Sequence, residues 1–206
     1  MRRRSPPVVL LLALALALGA CTSAVVVPRP GTGPYAAPGR MLVLAREGDV
    51  LNRGIATRAA ELVAQGLRPA GEVWSPDELL REASVAGGLP WALPMLARLR
   101  QGGWPSEDER LELLRFALTG VIVTEVTTYD QVWGRYAKFT RVGVEARGFD
   151  VAAGGIAWRL HRTVEVEDVR GRAFEYAVEQ AVGQVLGAIA PGTAYSMVDL
   201  WRVWRR

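Results

Sequence analysis

The chain is poor in the residues that usually carry chemistry. Its 206 residues hold one cysteine, Cys21, and one histidine, His161. A single cysteine excludes an internal disulfide and any Cys-x-x-Cys motif. A single histidine excludes a His-rich zinc site within one chain. Lysine is also scarce: of 25 basic residues only Lys138 is lysine. That bias fits a GC-rich genome, or selection for planar, multi-donor side chains at a binding surface. No apolar run reaches the roughly 18 residues that a spanning helix needs. The sequence contains no His-Glu-x-x-His, no Gly-x-x-x-x-Gly-Lys-Ser/Thr and no Gly-x-Ser-x-Gly. The expectation is therefore a protein with no catalytic residues, no metal and no cofactor. A Ser-His-Asp triad would have to use His161, which alternation places on a polar strand face as an ordinary surface histidine. Glu125 is expected in a strand-edge ion pair with an arginine rather than as an acid with a shifted pKa.

What is present begins at the N-terminus. Arg2, Arg3 and Arg4 precede a short apolar stretch, residues 8–20, which ends in Leu18-Gly19-Ala20-Cys21. A basic segment, a short apolar segment and small residues before a cut site make an export signal. The last four residues resemble the lipobox of bacterial lipoproteins. That resemblance implies cleavage before Cys21, a diacylglycerol on its sulfur, acylation of the new amine, and a membrane anchor through that lipid. Removing residues 1–20 takes three arginines away, so 25 basic against 21 acidic becomes 22 against 21. The basic balance thus belongs to the signal, and no nucleic-acid partner is expected.

Three segments follow: a signal peptide over 1–20, a lipidated N-terminus and tether over 21–40, and one domain over 41–206. The tether carries Pro28, Pro30, Gly31, Gly33, Pro34, Pro38 and Gly39 without a hydrophobic period. At about 3.1 Å per residue such a chain reaches on the order of 60 Å. The remaining length suits a single core.

The spacing predicts a strand over 41–45, a helix over 54–67 and a short strand over 72–74. Ser75-Pro76-Asp77-Glu78 opens a helix that runs to about 84, and Ser106-Glu107-Asp108-Glu109 opens another that ends near 118. A short helix is expected over 89–96. Strands follow over 121–133, 140–150 and 156–166, the last two alternating so that one face is polar. Arg141, Glu145, Arg147, Arg159, His161, Thr163 and Glu165 fall on that face. Asp150 and Gly154 mark the turn between these two strands. A last helix covers 172–189.

The strand Gly120-Val121-Ile122-Val123-Thr124-Glu125-Val126-Thr127, the turn at Asp150 and Gly154, Trp158, and the helix with Ala177-Val178-Glu179-Gln180-Ala181 carry a second resemblance. They are similar to periplasmic lipoproteins related to the curli-secretion lipoprotein and to the lipoprotein activator of a penicillin-binding protein. Members of that group show the turn motif Asp-x-x-Thr/Ser-Gly-x-x-x-Trp. Asp150, Gly154 and Trp158 match it, and Ala153 stands where the group has a hydroxyl. The resemblance spans roughly residues 41–190. It implies an α+β fold, with a mixed, mainly antiparallel sheet and helices packed on one face as a two-layer sandwich.

It also implies binding rather than catalysis. The expected role is a non-catalytic, lipid-anchored accessory protein that binds a protein partner in cell-wall synthesis or secretion. Thr22 follows the anchor, in place of the aspartate tied to inner-membrane retention in enteric bacteria. This points to the outer membrane, facing the periplasm. Two alternatives stand: an auxiliary lipoprotein of a lipid-trafficking ABC transport system, with an acyl-sized groove, or a homo-oligomeric secretion-channel subunit. The few residues around Gly134 leave no room for long membrane-spanning hairpins.

Two aromatic segments are candidate partner surfaces. One holds Trp91 and Trp104 amid Pro90, Pro94 and Pro105; the other is the tail with Trp201 and Trp204 between arginines. Exposed, they would meet a partner or a membrane; packed inward, they would close the core.

Overall fold

The computed structural model describes residues 39–47, 53–133, 138–167 and 173–189. Its sheet contains β1 (Arg40–Ala45), β2 (Val73–Trp74), β3 (Leu118–Trp133), β4 (Lys138–Asp150) and β5 (Gly155–Glu167). The strand order is β2-β1-β3-β4-β5. β1 is parallel to both β2 and β3, and β3, β4 and β5 are antiparallel. Around the sheet pack α1 (Arg53–Leu67), α2 (Pro76–Val85), α3 (Leu89–Arg100), α4 (Glu107–Arg115) and α5 (Ala173–Ile189). The α+β class and the mixed, mainly antiparallel sheet are as expected.

The layering differs from the expected two-layer sandwich. β1 reads Met-Leu-Val-Leu, and its alternate residues enter two different cores. Met41 and Val43 join α1 and α5 on one face. Leu42 and Leu44 join Leu79, Met95, Leu99 and Leu113 from α2, α3 and α4 on the other. Ile122 and Val126 of β3 likewise face the first core, and Val121 and Val123 the second. Helices thus cover both faces at the β1–β3 side. Only beyond them, on β4 and β5, does the fold thin to two layers with one polar face.

The helix starts follow local chemistry. Ser75 accepts from the backbone amide of Glu78 while the Glu78 carboxylate accepts from the backbone amide of Ser75 at 2.6 Å. Ser106 and Glu109 repeat this reciprocal cap at the start of α4. The amide of Ser75 holds the Glu78 carboxyl below the usual carboxylate range. α4 ends at Arg115, short of the expected 118, because Ala117 takes a left-handed backbone conformation (φ 57°) and turns the chain into β3. α3 runs through to Arg100, longer than expected, with Pro94 inside it. Pro94 is tolerated there on an exposed stretch, where the lost amide bond faces water.

Candidate functional site

The open face of β3, β4 and β5 carries a cluster of ion pairs. Its centre is a row of paired positions, Glu125 beside Glu145 beside His161. Two carboxylates directly across a ladder repel, and arginines from both sides offset this. Arg46, just past β1, donates to Glu125 at 2.6 Å. Arg147 bonds Glu145 and also reaches Glu125 at 3.4 Å. Arg159 donates to Glu145 at 2.7 Å. Three guanidiniums and two carboxylates thus form one connected network, with Glu145 at its centre and only 5% exposed.

The electrostatics follow from that packing. Burial works against the ionised form of Glu145, but hydrogen bonds from Arg159 and Arg147 outweigh it and hold its carboxyl below the usual range. The same contact raises Arg159 above its ordinary value. Further along, Arg141 donates twice to Glu165, at 2.8 and 3.0 Å. The glutamates and arginines of this face are therefore engaged with one another, as cross-strand pairing had suggested.

His161 sits at the edge of the network. Its Nε2 lies 3.0 Å from Thr127 Oγ1. The contact crosses β4 at Gly143, where a side-chain Cβ would stand 2.7 Å from Thr127 Oγ1 and 3.2 Å from His161 Nε2. Thr127 occupies a register shift in β3 between Val126 and Thr128, so strict alternation could not find this pair. No nucleophile, base and third orienting group converge here among the described residues. Likewise, no group of three or more His, Cys, Asp or Glu is placed to hold a metal among them.

The turn residues are tied down from a helix on the second face. Asp150 Oδ1 accepts from the Ala153 amide at 2.9 Å, and Gly154 donates to the Asp150 carbonyl at 2.9 Å. Gly154 has φ 68°, a conformation that costs any residue with a Cβ. Arg110 of α4 donates to the Val151 and Ala152 carbonyls at 2.9 Å each. Trp158 lies across its pairing partner Gly148, where a Cβ would come within 2.1 Å of the indole. These residues shape and brace a hairpin; none presents reactive chemistry.

The expected tryptophan surface is divided. Trp91 and Trp104 are half-buried and pack against the second core. Trp91 meets Phe116 at 6.0 Å between centroids, and Trp104 stacks on Phe149 at 5.3 Å. Their segment closes the core instead of forming an exposed aromatic patch. Trp201, Trp204 and Cys21 lie outside the described residues. An aromatic that sequence reasoning did not select, Trp133, is 75% exposed at the end of β3, with the Lys138 ammonium 5.3 Å from its ring. No described helix is long and apolar enough to cross a membrane.

This is an α+β domain built on one open mixed sheet. No family model matches the chain, and no curated protein matches it in sequence. Among solved structures it resembles a PelC dodecamer from Paraburkholderia phytofirmans, with a TM-score of 0.50 and 14% identity over 82% of this chain and 97% of that one. It is also similar to lipoprotein GNA1162 from Neisseria meningitidis (TM-score 0.44, 18% identity, 77% of this chain and 100% of that one). The LpoB C-terminal domain from Escherichia coli is a further neighbour (TM-score 0.39, 15% identity, 66% of this chain and 88% of that one). At these identities the likeness is one of fold alone.

Proposed function

We propose that the protein is a non-catalytic accessory lipoprotein of the cell envelope. It is anchored through lipid on Cys21 to the outer membrane, faces the periplasm, and acts by binding a protein partner. The observation that carries this is the run Leu18-Gly19-Ala20-Cys21, which places the only cysteine at a lipobox-like boundary ahead of a Pro/Gly-rich tether. The ion-pair network supports the non-catalytic part, because the glutamates that could act as acids or bases are held in salt bridges. The open polar face of β3–β5 is the surface offered to the partner. Radiolabelled palmitate should enter the wild-type protein and not Cys21→Ser. Equal labelling of both, or labelling of neither, overturns the anchor. Cross-linking in intact envelopes from a photoreactive residue at position 163, on the open face, should capture one defined partner. Capture of the protein's own copies alone would favour self-assembly.

A second reading is a homo-oligomeric ring for secretion. Two observations favour it: Trp133 at the end of β3 is exposed, and the PelC neighbour is a dodecamer. Among the described residues, one apolar cleft bears on the lipid-trafficking alternative. The apolar cleft between α1 and α5, lined by Ile55, Leu62, Phe174 and Val178, holds about 250 Å³. Ligand pockets run from about 300 to 1,000 Å³.

A further inference from the structure

The sheet ends at β2, and β2 is too short to cover its neighbour. Parallel pairing stops where Leu42 meets Trp74. The next amide able to donate to the Val43 carbonyl belongs to residue 76, which is Pro76 and has none. Even-numbered residues of β1 face β3, as the bonds from Arg46 N to the Thr124 carbonyl and from Thr124 Oγ1 to the Leu44 carbonyl show. Odd-numbered residues face the other way, as Met41 N to the Glu72 carbonyl shows. The Val43 carbonyl and both backbone groups of Ala45 therefore point into a gap with no strand among the described residues. Glu47 N closes the far end by donating to the Arg100 carbonyl at 2.7 Å.

That gap is a cleft of about 410 Å³ between α1 and the start of α2. Its α1 wall is cut back to Ala60 and Ala64, and Ser75 and Pro76 form the opposite wall. Arg46, Arg68 and Arg100 also line it, balanced by Glu47, Glu61 and Asp77. An open strand edge with unused backbone groups is a template for strand addition. The alanines leave room for small apolar side chains, and the balanced charges favour neither sign, so a short, uncharged, β-branched segment fits.

The chain carries one such segment immediately before the domain. Within residues 22–38, only Ala24-Val25-Val26-Val27 is free of charge, proline and glycine and rich in β-branched residues, and Pro28 ends it. We propose that residues 24–27 dock on the open edge of β1 as a short antiparallel strand. Val25 sits opposite Ala45 and exchanges both hydrogen bonds with it, while the Val27 amide donates to the Val43 carbonyl. Opposed residues share a face, so Val25 and Val27 fill the space that Ala60 and Ala64 leave on the α1 side. The connection 28–38 extends to roughly 36 Å at about 3.3 Å per residue. The return from Val43 to Gly39, just before β1, is about 13 Å, plus one strand spacing of about 4.8 Å. A tethered segment of this length acts at an effective concentration on the order of millimolar.

The functional consequence rests on the proposed lipid at Cys21. With residues 24–27 docked, only residues 21–23 separate the lipid from the domain, which then lies against the bilayer. Undocked, the tether reaches on the order of 60 Å. A partner strand that takes the edge would release the domain.

The test is hydrogen exchange at single amides of the full chain, lipidated in detergent micelles and as Cys21→Ser. The Ala45 amide should exchange at least tenfold more slowly than in a variant carrying Val25→Pro and Val27→Pro, in both forms. Equal rates in wild type and variant overturn the docking. Protection that rises with protein concentration also overturns it, because the strand would then come from a second copy. In the Cys21→Ser chain, Val25→Cys with Ala45→Cys should close an intrachain disulfide, since paired Cα atoms about 5.5 Å apart suit one; its failure to form counts against the register. Loss of palmitate labelling with Ala45 protection intact would sink the anchor and leave the docking standing. Intact labelling without protection would do the reverse.

Discussion

Replacing Glu145 with glutamine tests whether the ion-pair network stabilises the sheet. The carboxylate is nearly buried, and it accepts from Arg147 and Arg159. Glutamine keeps the shape and one acceptor oxygen but removes the charge. Breaking a fully buried pair costs about 3–5 kcal/mol, whereas an exposed pair is worth about 0–1 kcal/mol. This site lies between those limits. The Arg147 side chain is 21% exposed and retains Glu125 at 3.4 Å, while Arg159 is 58% exposed. The expected loss is roughly 1.5–2.5 kcal/mol, or a fall in Tm of about 3–10 °C for a chain of this size.

Urea unfolding of the Cys21→Ser protein and its Glu145→Gln derivative measures that difference. Its pH dependence is the sharper readout. The folded carboxyl titrates below its unfolded value. Its stabilisation is therefore fully present above about pH 4.3 and is lost as pH falls through the folded value. The gap between the two proteins should stay flat from about pH 8 to 5 and close below about pH 4. A gap under about 0.5 kcal/mol at pH 7, or one unchanged at pH 3, would refute the reasoning.

Other substitutions give separate outcomes. Gly154→Ala should destabilise by about 1–3 kcal/mol in a thermal melt, from the positive φ and from displacement of Arg110. Gly148→Ala should cost about 1–3 kcal/mol and shift the Trp158 fluorescence, because the added methyl group and the indole need the same space. Ser106→Ala should cost about 1 kcal/mol by urea unfolding, through loss of the cap on Glu109 N. Leu99→Ala should cost about 2–5 kcal/mol in the same assay, since Leu99 is fully buried in the second core.

Much of this fold is legible in the sequence, for identifiable reasons. The two capping boxes set the starts of α2 and α4, and the alternation in β4 and β5 separates a buried face from the charged one. The layering was harder to read, although β1 holds the clue. A strand that is apolar at every position, as in Met41-Leu42-Val43-Leu44, is buried on both sides, which a one-sided sandwich does not allow. Trp91 and Trp104 allowed two readings from sequence, a surface or a closure of the core; in the fold Pro90 and Pro94 start and punctuate α3, and both half-buried rings pack against the second core. The Thr127–His161 contact could not be read at all, because it depends on a register shift that changes which side chains share a face. The open edge of β1 depends on where Pro76 falls relative to Leu42, which only the pairing register reveals.

The central claim is that the mature protein begins at Cys21 and carries lipid there. Mass analysis of the N-terminal peptide from protein purified out of native membranes tests it most directly. The account expects a peptide starting at Cys21, heavier by a diacylglycerol and an amide-linked acyl chain. A mature chain that starts at any other residue, or an unmodified Cys21 in a protein released without detergent, would contradict it.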